Sequence, residues 1–344
     1  MSATIVSFGE IMLRLSPPGF ERLLQTPQLT ASFGGSEANV AVALSLLGIP
    51  ASFVTVLPDN SPVADAALGE LRRVGVDTSH VVRREGRMGI CYIESGANQR
   101  PSRVTYDRAF SAIALAKVGD IDWRRGFDGR AWFHISGVTP ALSQSTADLA
   151  LESVRIARES GLTVSCDLNF RRQLWRWGKT ATEVMPGLVR QADIAIANEE
   201  DIEMSLGIQS SAGRASGEFD FAQYEELTNC VLATYPNLRM VAVTLRHSTS
   251  ASRNSWSACL RDRSGFLTSR QYDITDIVDR VGAGDSFAAG LIYGLHALKA
   301  QQDALEFATA LGCLKHSMPG DFSRFTVDDV NALLAGDGSG RIQR

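Results

Sequence analysis

The sequence is short of the features that mark several common classes of protein. Five cysteines are spread over 344 residues, at Cys91, Cys166, Cys230, Cys259 and Cys313, with no CxxC pair. That spacing argues against a zinc site or a disulfide framework and points to reduced, buried thiols in a cytoplasmic protein. No apolar run is long enough to span a bilayer. The start, "MSATIVSFGEIML", lacks a charged leader and a long apolar core, so it reads as a first strand rather than a signal peptide. Basic residues neither cluster nor dominate, and the net charge is −4, which argues against a nucleic-acid partner. Two phosphate-binding motifs are missing as well. There is no GxxxxGK[ST], since "WGKT" lacks its leading glycine, and the glycines of 282–290 are spaced GxGxxxxxG rather than GxGxxG.

What is present is a chain that is 44% apolar, enough for a large buried core. Short apolar runs ("TIVSFG", "ASFVTVL", "RAWFHIS", "LTVSCDL", "ADIAIAN", "RMVAVTL") read as strands. Helical patterns separate them: "SEANVAVALSLLG", "DNSPVADAALGELRRVG", and stretches around 144–160, 180–191 and 221–234. Apolar strands alternating with helices predict a parallel sheet covered on both faces, an α/β fold. Two pairs break the rhythm, "IMLRLSP" with "LTASFG" and "GICYIES" with "RVTYDR". They alternate polar and apolar residues with no helix between, as a small sheet wet on one face would. "IQSSAGRASGEFD" reads as a surface loop, and the tail 336–344 is expected to be disordered.

The most informative stretch is "DRVGAGDSF", residues 279–287, where Gly282, Ala283 and Gly284 lead to Asp285 and an apolar helix. Glycines leave backbone N–H groups uncovered, and a helix start aligns more of them, which makes an anion hole. Negative charge is already welcome there, so an acid in the same place needs a reason. A proton acceptor beside a phosphoryl group in transfer is one; ordinary helix-dipole chemistry is the other.

"DRVGAGDSFAAG" resembles the C-terminal signature of the ribokinase-like (PfkB-type) sugar kinases, and "FGGSEANVAVALSLLG" (33–48) resembles their N-terminal signature. The resemblance covers nearly the whole chain. It implies a three-layer α/β/α core in a single kinase domain over 1–335, with a β-lid drawn from about 10–35 and 86–110. It also implies ATP and Mg²⁺, with K⁺ as a further candidate, and a homodimer or higher homo-oligomer formed through the lid, without membrane or nucleic acid. Within the family, "GICYIES", "RVTYDRAFSAI", "DLNFRRQLW" and "KHSMPGDFSRFT" resemble 2-keto-3-deoxygluconate kinases.

The roles that follow from the resemblance are these. Gly34, Gly35 and Asn39 hold the polyol, Asp285 is the general base, and Gly282, Ala283 and Gly284 supply the N–H cradle. Tyr92, Tyr106, Arg108, Arg171 and Asp321 contact the sugar acid; arginines suit its carboxylate because they donate in pairs, the alternative for each being a structural ion pair or a solvated charge. Asp167 and Asn169 lie in the same stretch as Arg171. Asn198, Thr244 and Arg246, with Gly282 and Gly284, face the nucleotide. Asn198 and Asp201 stand where the family's Asn and acid act indirectly on Mg²⁺. Asp201 replaces the usual Glu, so a water or Glu200 fills the gap, or the segment is simply an acid-rich helix start. Asp279 either orders the anion hole or sits near a monovalent cation. Arg246 and His247 occupy a segment, 246–254, that reads as a loop where the family has a glycine. Arg246 either reaches phosphate or marks a remodelled site, and His247 reads as a solvent-exposed residue. The expected reaction is ATP-dependent phosphorylation of the terminal hydroxyl of 2-dehydro-3-deoxy-D-gluconate. The alternatives are a fructokinase- or ribokinase-type enzyme and a non-catalytic sugar-acid sensor.

Overall fold

The computed structural model describes residues 4–209 and 219–336. Most of the expected 208–220 surface loop and the expected disordered tail lie outside the described residues. β1 (Thr4–Phe8) opens the core, and β2 (Met12–Ser16) and β3 (Thr30–Gly34) leave it before α1 (Ser36–Leu46) returns. β4 (Ala51–Val54), β5 (Val56–Pro58), α2 (Pro62–Arg73) and β6 (Val82–Arg84) lead to a second excursion, β7 (Ile90–Glu94) and β8 (Arg103–Asp107). After α3 (Trp123–Phe127), strands and helices alternate: β9 (Arg130–Ser136), α4 (Gln144–Glu159), β10 (Thr163–Asp167), α5 (Ala181–Val189), β11 (Ile194–Ala197), α6 (Glu199–Leu206) and α7 (Phe221–Thr234). β12 (Met240–Ser250), β13 (Arg253–Asp262), β14 (Phe266–Thr268) and β15 (Tyr272–Ile274) follow, and α8 (Ala283–Ala297), α9 (Gln301–Lys315) and α10 (Val327–Leu334) complete the described chain.

The main sheet has nine strands in the order β14-β13-β12-β11-β10-β9-β1-β4, with β15 also on β13. From β4 to β12 the pairings are parallel; those of β13 are antiparallel. Strand alternation feeds two apolar layers. Val6, Phe8, Ala195, Val241 and Val243 pack under α4, α5 and α7, while Ile5, Ile194, Ile196 and Ala242 pack under α1, α2, α8 and α9. This is the expected three-layer sandwich. The expected strand "ASFVTVL" is broken at Thr55, and its second half pairs with β6 outside the main sheet.

The two excursions form the expected lid, a four-stranded sheet ordered β3-β2-β7-β8. Its inner face carries Met12, Cys91 and Ile93, with Val104, Tyr106 and Val281 packed beside them. Of the cysteines, Cys91, Cys166 and Cys259 are buried as expected, but Cys313 is only partly so and Cys230 is exposed on α7.

Two packing details place the helix that follows the glycine turn. A Cβ on Gly290 would lie 2.7 Å from Ala308 Cα, and one on Gly294 2.5 Å from Ala304 Cα, so α8 and α9 meet backbone to backbone. On α1, Glu37 is fully buried; its Oε1 accepts from Ser136 N–H, Ser136 Oγ and Thr139 Oγ1 at 2.8–2.9 Å. A Cβ on Gly9 would strike Glu37 Oε2 at 2.0 Å, so glycine is required where β1 ends. Burial outweighs these hydrogen bonds and raises the Glu37 carboxyl to about 7.

Gly290→Ala is expected to lower stability by about 1–3 kcal/mol, because the methyl meets backbone that cannot move alone. It would show as a lower urea midpoint at unchanged slope; an unchanged midpoint means the helices part freely. Glu37 titrates from 4.5 in the unfolded chain to about 7 in the native one. Its stabilising contribution is therefore complete below pH 4.5 and lost as pH rises through about 7. Relative to Glu37→Gln, the wild type should lose roughly 3 kcal/mol across that window, measured by urea unfolding at pH 5 and pH 8. Parallel pH curves for the two proteins would contradict this.

Candidate active site

The parallel strands end on one side of the sheet, and the candidate residues gather there, as ligand sites in open α/β sheets do. Two helix starts meet at the centre. α8 begins at Gly282, in the left-handed region at φ +82°, and a Cβ there would strike the Asp321 carbonyl oxygen at 2.2 Å. α1 begins at Gly35, where a Cβ would strike the Glu10 carbonyl oxygen at 1.9 Å. Gly284, by contrast, has open space beside it, so backbone at this turn is bare toward a ligand.

Asp285 joins the two helices. Ser36 Oγ donates to its Oδ1 at 2.7 Å and Asn39 Nδ2 to its Oδ2 at 2.6 Å, while Asn39 Oδ1 accepts from Gly35 N–H at 3.2 Å. Burial raises the Asp285 carboxyl above the usual range; Asn39, Ser36, Arg171 and Lys315 act against that rise. The result is a carboxylate of enhanced basicity, aligned by fixed donors, with lone pairs left over for a hydroxyl proton.

Around this pair stands a set of charges of which sequence reasoning named Asp279 and Asp321 but missed Arg14 and Lys315. Arg14, on lid strand β2, is buried and bonds Asp321 through Nη1 and Asp279 through Nη2, each at 2.5 Å. Asp279 also accepts from the N–H groups of Val281 at 3.0 Å and Gly320 at 3.1 Å. Lys315, at the end of α9, is fully buried, and its Nζ donates to the Met318 carbonyl oxygen at 3.2 Å. Asp321 itself presses on Gly34, where a Cβ would lie 2.1 Å from Oδ2. The only sequence signal for Arg14 was its apolar context in "IMLRLSP", and Lys315 opens "KHSMPGDFSRFT" without a role of its own there.

The "DLNF" stretch lines another wall. Asn169 takes a positive φ of 35°, donates from Nδ2 to Ser36 Oγ at 2.9 Å, and its buried Oδ1 has no protein partner. Asp167 accepts the Asn169 N–H at 3.2 Å; burial, then Asp201 and Asp285, pushes its carboxyl well above the usual range. Arg171 is exposed and spends one N–H on the Phe170 carbonyl oxygen at 2.8 Å. Its charge acts on Asp167, Asp201, Asp285 and Tyr106.

The other expected ligand residues divide. Tyr106 is on the lid's inner face, in one cross-strand row with Cys91 and Arg14. Tyr92 pairs with Thr105 and Leu15 in the next row, so strand alternation turns it to the opposite face, away from Tyr106. Its expected place among the sugar contacts is therefore corrected. Arg108 is buried, stacks over Tyr106 at 5.2 Å and bonds Glu10 Oε2 through Nε at 2.7 Å, which is the structural ion pair weighed above.

On the nucleotide side, Asn198 and Asp201 cap α6. Asn198 Oδ1 accepts from Asp201 N–H at 2.8 Å, Asp201 Oδ2 from Asn198 N–H at 3.3 Å, and Asp201 Oδ1 from Phe170 N–H at 2.9 Å. Glu200 is exposed beside them. Among the described residues no group of three His, Cys, Asp or Glu stands together as a metal site. Direct chelation by Asn198 and Asp201 does not fit this arrangement; contact through water does.

The segment 246–254 is not a loop. β12 and β13 run on as a long hairpin that turns at Ala251–Ser252. Its tip is held by Arg280, which donates to the carbonyl oxygens of Ser250 and, at 3.2 Å, Ala251. Thr244 and Arg246 share one face of β12, with Arg246 exposed; His247 points the other way, opposite Ser255. The arginine's charge is felt by Glu199, His316 and Arg280, the last of which lies just before the glycine turn in sequence.

This geometry agrees with the comparisons. The model of the pfkB family carbohydrate kinases matches residues 2–323. A 2-dehydro-3-deoxygalactonokinase of Haloferax volcanii is 33% identical over 99% of each chain. The crystal structure of a 2-dehydro-3-deoxygluconokinase of Thermotoga maritima superposes with a TM-score of 0.90 at 45% identity, covering 97% of this chain and 100% of that one. A fructokinase of Xylella fastidiosa solved with bound ATP has a TM-score of 0.79 at 21% identity, over 98% of this chain and 99% of that one, and shows the fold alone. The chain belongs to the PfkB family of carbohydrate kinases and is an ATP-dependent sugar kinase on the ribokinase-like fold.

Proposed function

We propose that this kinase phosphorylates the terminal hydroxyl of 2-dehydro-3-deoxy-D-gluconate, with the galactonate epimer as a further acceptor. The observation that carries the reading is an exposed arginine, Arg171, on the DLNF wall beside Asp285 and Asn39, with its charge reaching Asp285 and the lid residue Tyr106. A neutral sugar has no use for a guanidinium there; a sugar carboxylate does. Tyr106 gives the pocket a flat wall, stacked on Arg108, whose own charge is spent on Glu10. Asn169 Oδ1 and Asp321 are acceptors for sugar hydroxyls. The named activities of the relatives on both epimers support the same substrate class.

In the reaction, Asp285 takes the proton of the acceptor hydroxyl as its oxygen bonds the γ-phosphorus. The bond to the β-phosphate oxygen breaks, and its electron pair leaves with ADP. Backbone N–H groups of the 282–285 turn hold the charge spread over the phosphoryl oxygens. Thr244 and Arg246 flank the triphosphate. Mg²⁺, when bound with ATP, would neutralise phosphate charge; Asn198 and Asp201, whose oxygens are spent on backbone N–H groups, would meet it through water. β3 and β8 are the lid's two edges, and a cytoplasmic homodimer pairing lid on lid would cover them.

Asp285→Asn should lower kcat by roughly 10²–10⁴ with substrate affinity largely kept. Near-normal turnover would remove the base assignment. A coupled assay with Mg-ATP across keto-deoxy acids, ketoses and nucleosides tests the substrate. Turnover should favour the acids, and Arg171→Met should raise KM for the acids alone. Preference for fructose or ribose would make this a neutral-sugar kinase, and binding of the acid without turnover would make it a sensor.

A further inference from the structure

Asp279 lies where a monovalent cation was one of two readings, and the structure allows that reading to be tested for fit. A cation such as K⁺ needs several oxygens that aim lone pairs at one point. Here the oxygens aim at N–H groups instead. Asp279 Oδ1 faces Val281 N–H at 3.0 Å, and Oδ2 faces Arg14 Nη2 at 2.5 Å and Gly320 N–H at 3.1 Å. Asp321 Oδ1 faces Arg14 Nη1 at 2.5 Å, and the Met318 carbonyl oxygen faces Lys315 Nζ at 3.2 Å. Two carboxylates are thus matched by two buried cations, both on side chains. A third positive charge would be placed beside Arg14 and Lys315, and the one carboxylate left over, Asp285, is taken up by Ser36 and Asn39.

The position of these cations gives them work. A Cβ on Gly282 would lie 3.4 Å from Lys315 Cε, so the lysine stem runs against the glycine turn. Lys315 also lies within electrostatic reach of Asp279, Asp321 and Asp285. Arg14 ties the lid to both flanks of that turn, at Asp279 before it and at Asp321, whose carbonyl oxygen closes over Gly282.

We infer that Arg14 and Lys315 build into the chain the positive charge that a monovalent cation would supply beside the anion hole, so that this kinase turns over without K⁺. Both act as positioning residues. Their charge holds Asp279 and Asp321, and these in turn hold the bare turn in the shape that receives the phosphoryl group. The K⁺ expected from the family resemblance therefore does not fit these residues.

The test uses the whole protein and whichever sugar it turns over, so it rests on the proposed substrate only for the choice of assay. Rates and melting temperature are compared in KCl, NaCl and tetramethylammonium chloride at one ionic strength. The expected result is a rate within about twofold across the three salts and no melting shift specific to K⁺. A tenfold or greater stimulation by K⁺, or a K⁺-specific rise in melting temperature, would overturn the inference. A wrong sugar would instead give no turnover in any salt, and the melting series would still decide. In Lys315→Met, kcat should fall at least about tenfold while KM for the sugar changes little. Unchanged kcat in a folded Lys315→Met protein would remove Lys315 from the role, and if that variant does not fold, the wild-type salt series alone decides.

Discussion

The site depends on one contact: the Asp285 carboxylate held between the first turns of α1 and α8. Each helix presents the positive end of its dipole and unpaired N–H groups, so two such ends brought together repel unless an anion lies between them. Asp285 is that anion. Ser36 and Asn39 from one helix fix it, and the other helix carries it. The travelling phosphoryl group is the second anion that this arrangement welcomes. Structure and chemistry therefore draw on the same electrostatic deficit, and removing water from the carboxylate makes it a better proton acceptor while it braces the fold.

Packing far from the pocket keeps that contact in register. The bare backbone contact at Gly290 and Gly294 lets α8 lie close on α9, and α9 ends in Lys315 beneath the glycine turn. Glu37 anchors the first turn of α1 to the ends of β1 and β9, in a space so tight that Gly9 admits no side chain. Small residues thus place large functional ones.

Much of this was legible in the residues. The alternation of "RAWFHIS", "LTVSCDL", "ADIAIAN" and "RMVAVTL" with helical stretches gave away the sandwich, and the paired glycines with Asn39 and Asp285 marked its centre. What escaped had physical causes. Asn-x-x-Asp at 198–201 spells a helix cap and a metal approach in the same letters, so both readings stayed open until the fold showed which hydrogen bonds are spent. Tyr92 and Tyr106 look equivalent until strand register puts them on opposite faces. Residues 248–255, rich in Ser, Thr and Asn, carry turn-like composition, yet only Ala251–Ser252 turn; pairing between β12 and β13 and the grip of Arg280 on the tip hold the rest extended. Arg14 finds Asp321 across a separation of 307 residues, which no local pattern reveals.

That separation has a consequence for how the chain matures. During synthesis, β2 emerges early with a guanidinium whose counterions are among the last residues of the kinase body to appear. Until they do, sealing the lid would strand an unpaired charge in an apolar layer, at a cost of several kcal/mol. The lid's latch is thus completed only by a residue that follows α9, so a lid closed with its charges paired requires nearly the whole kinase body.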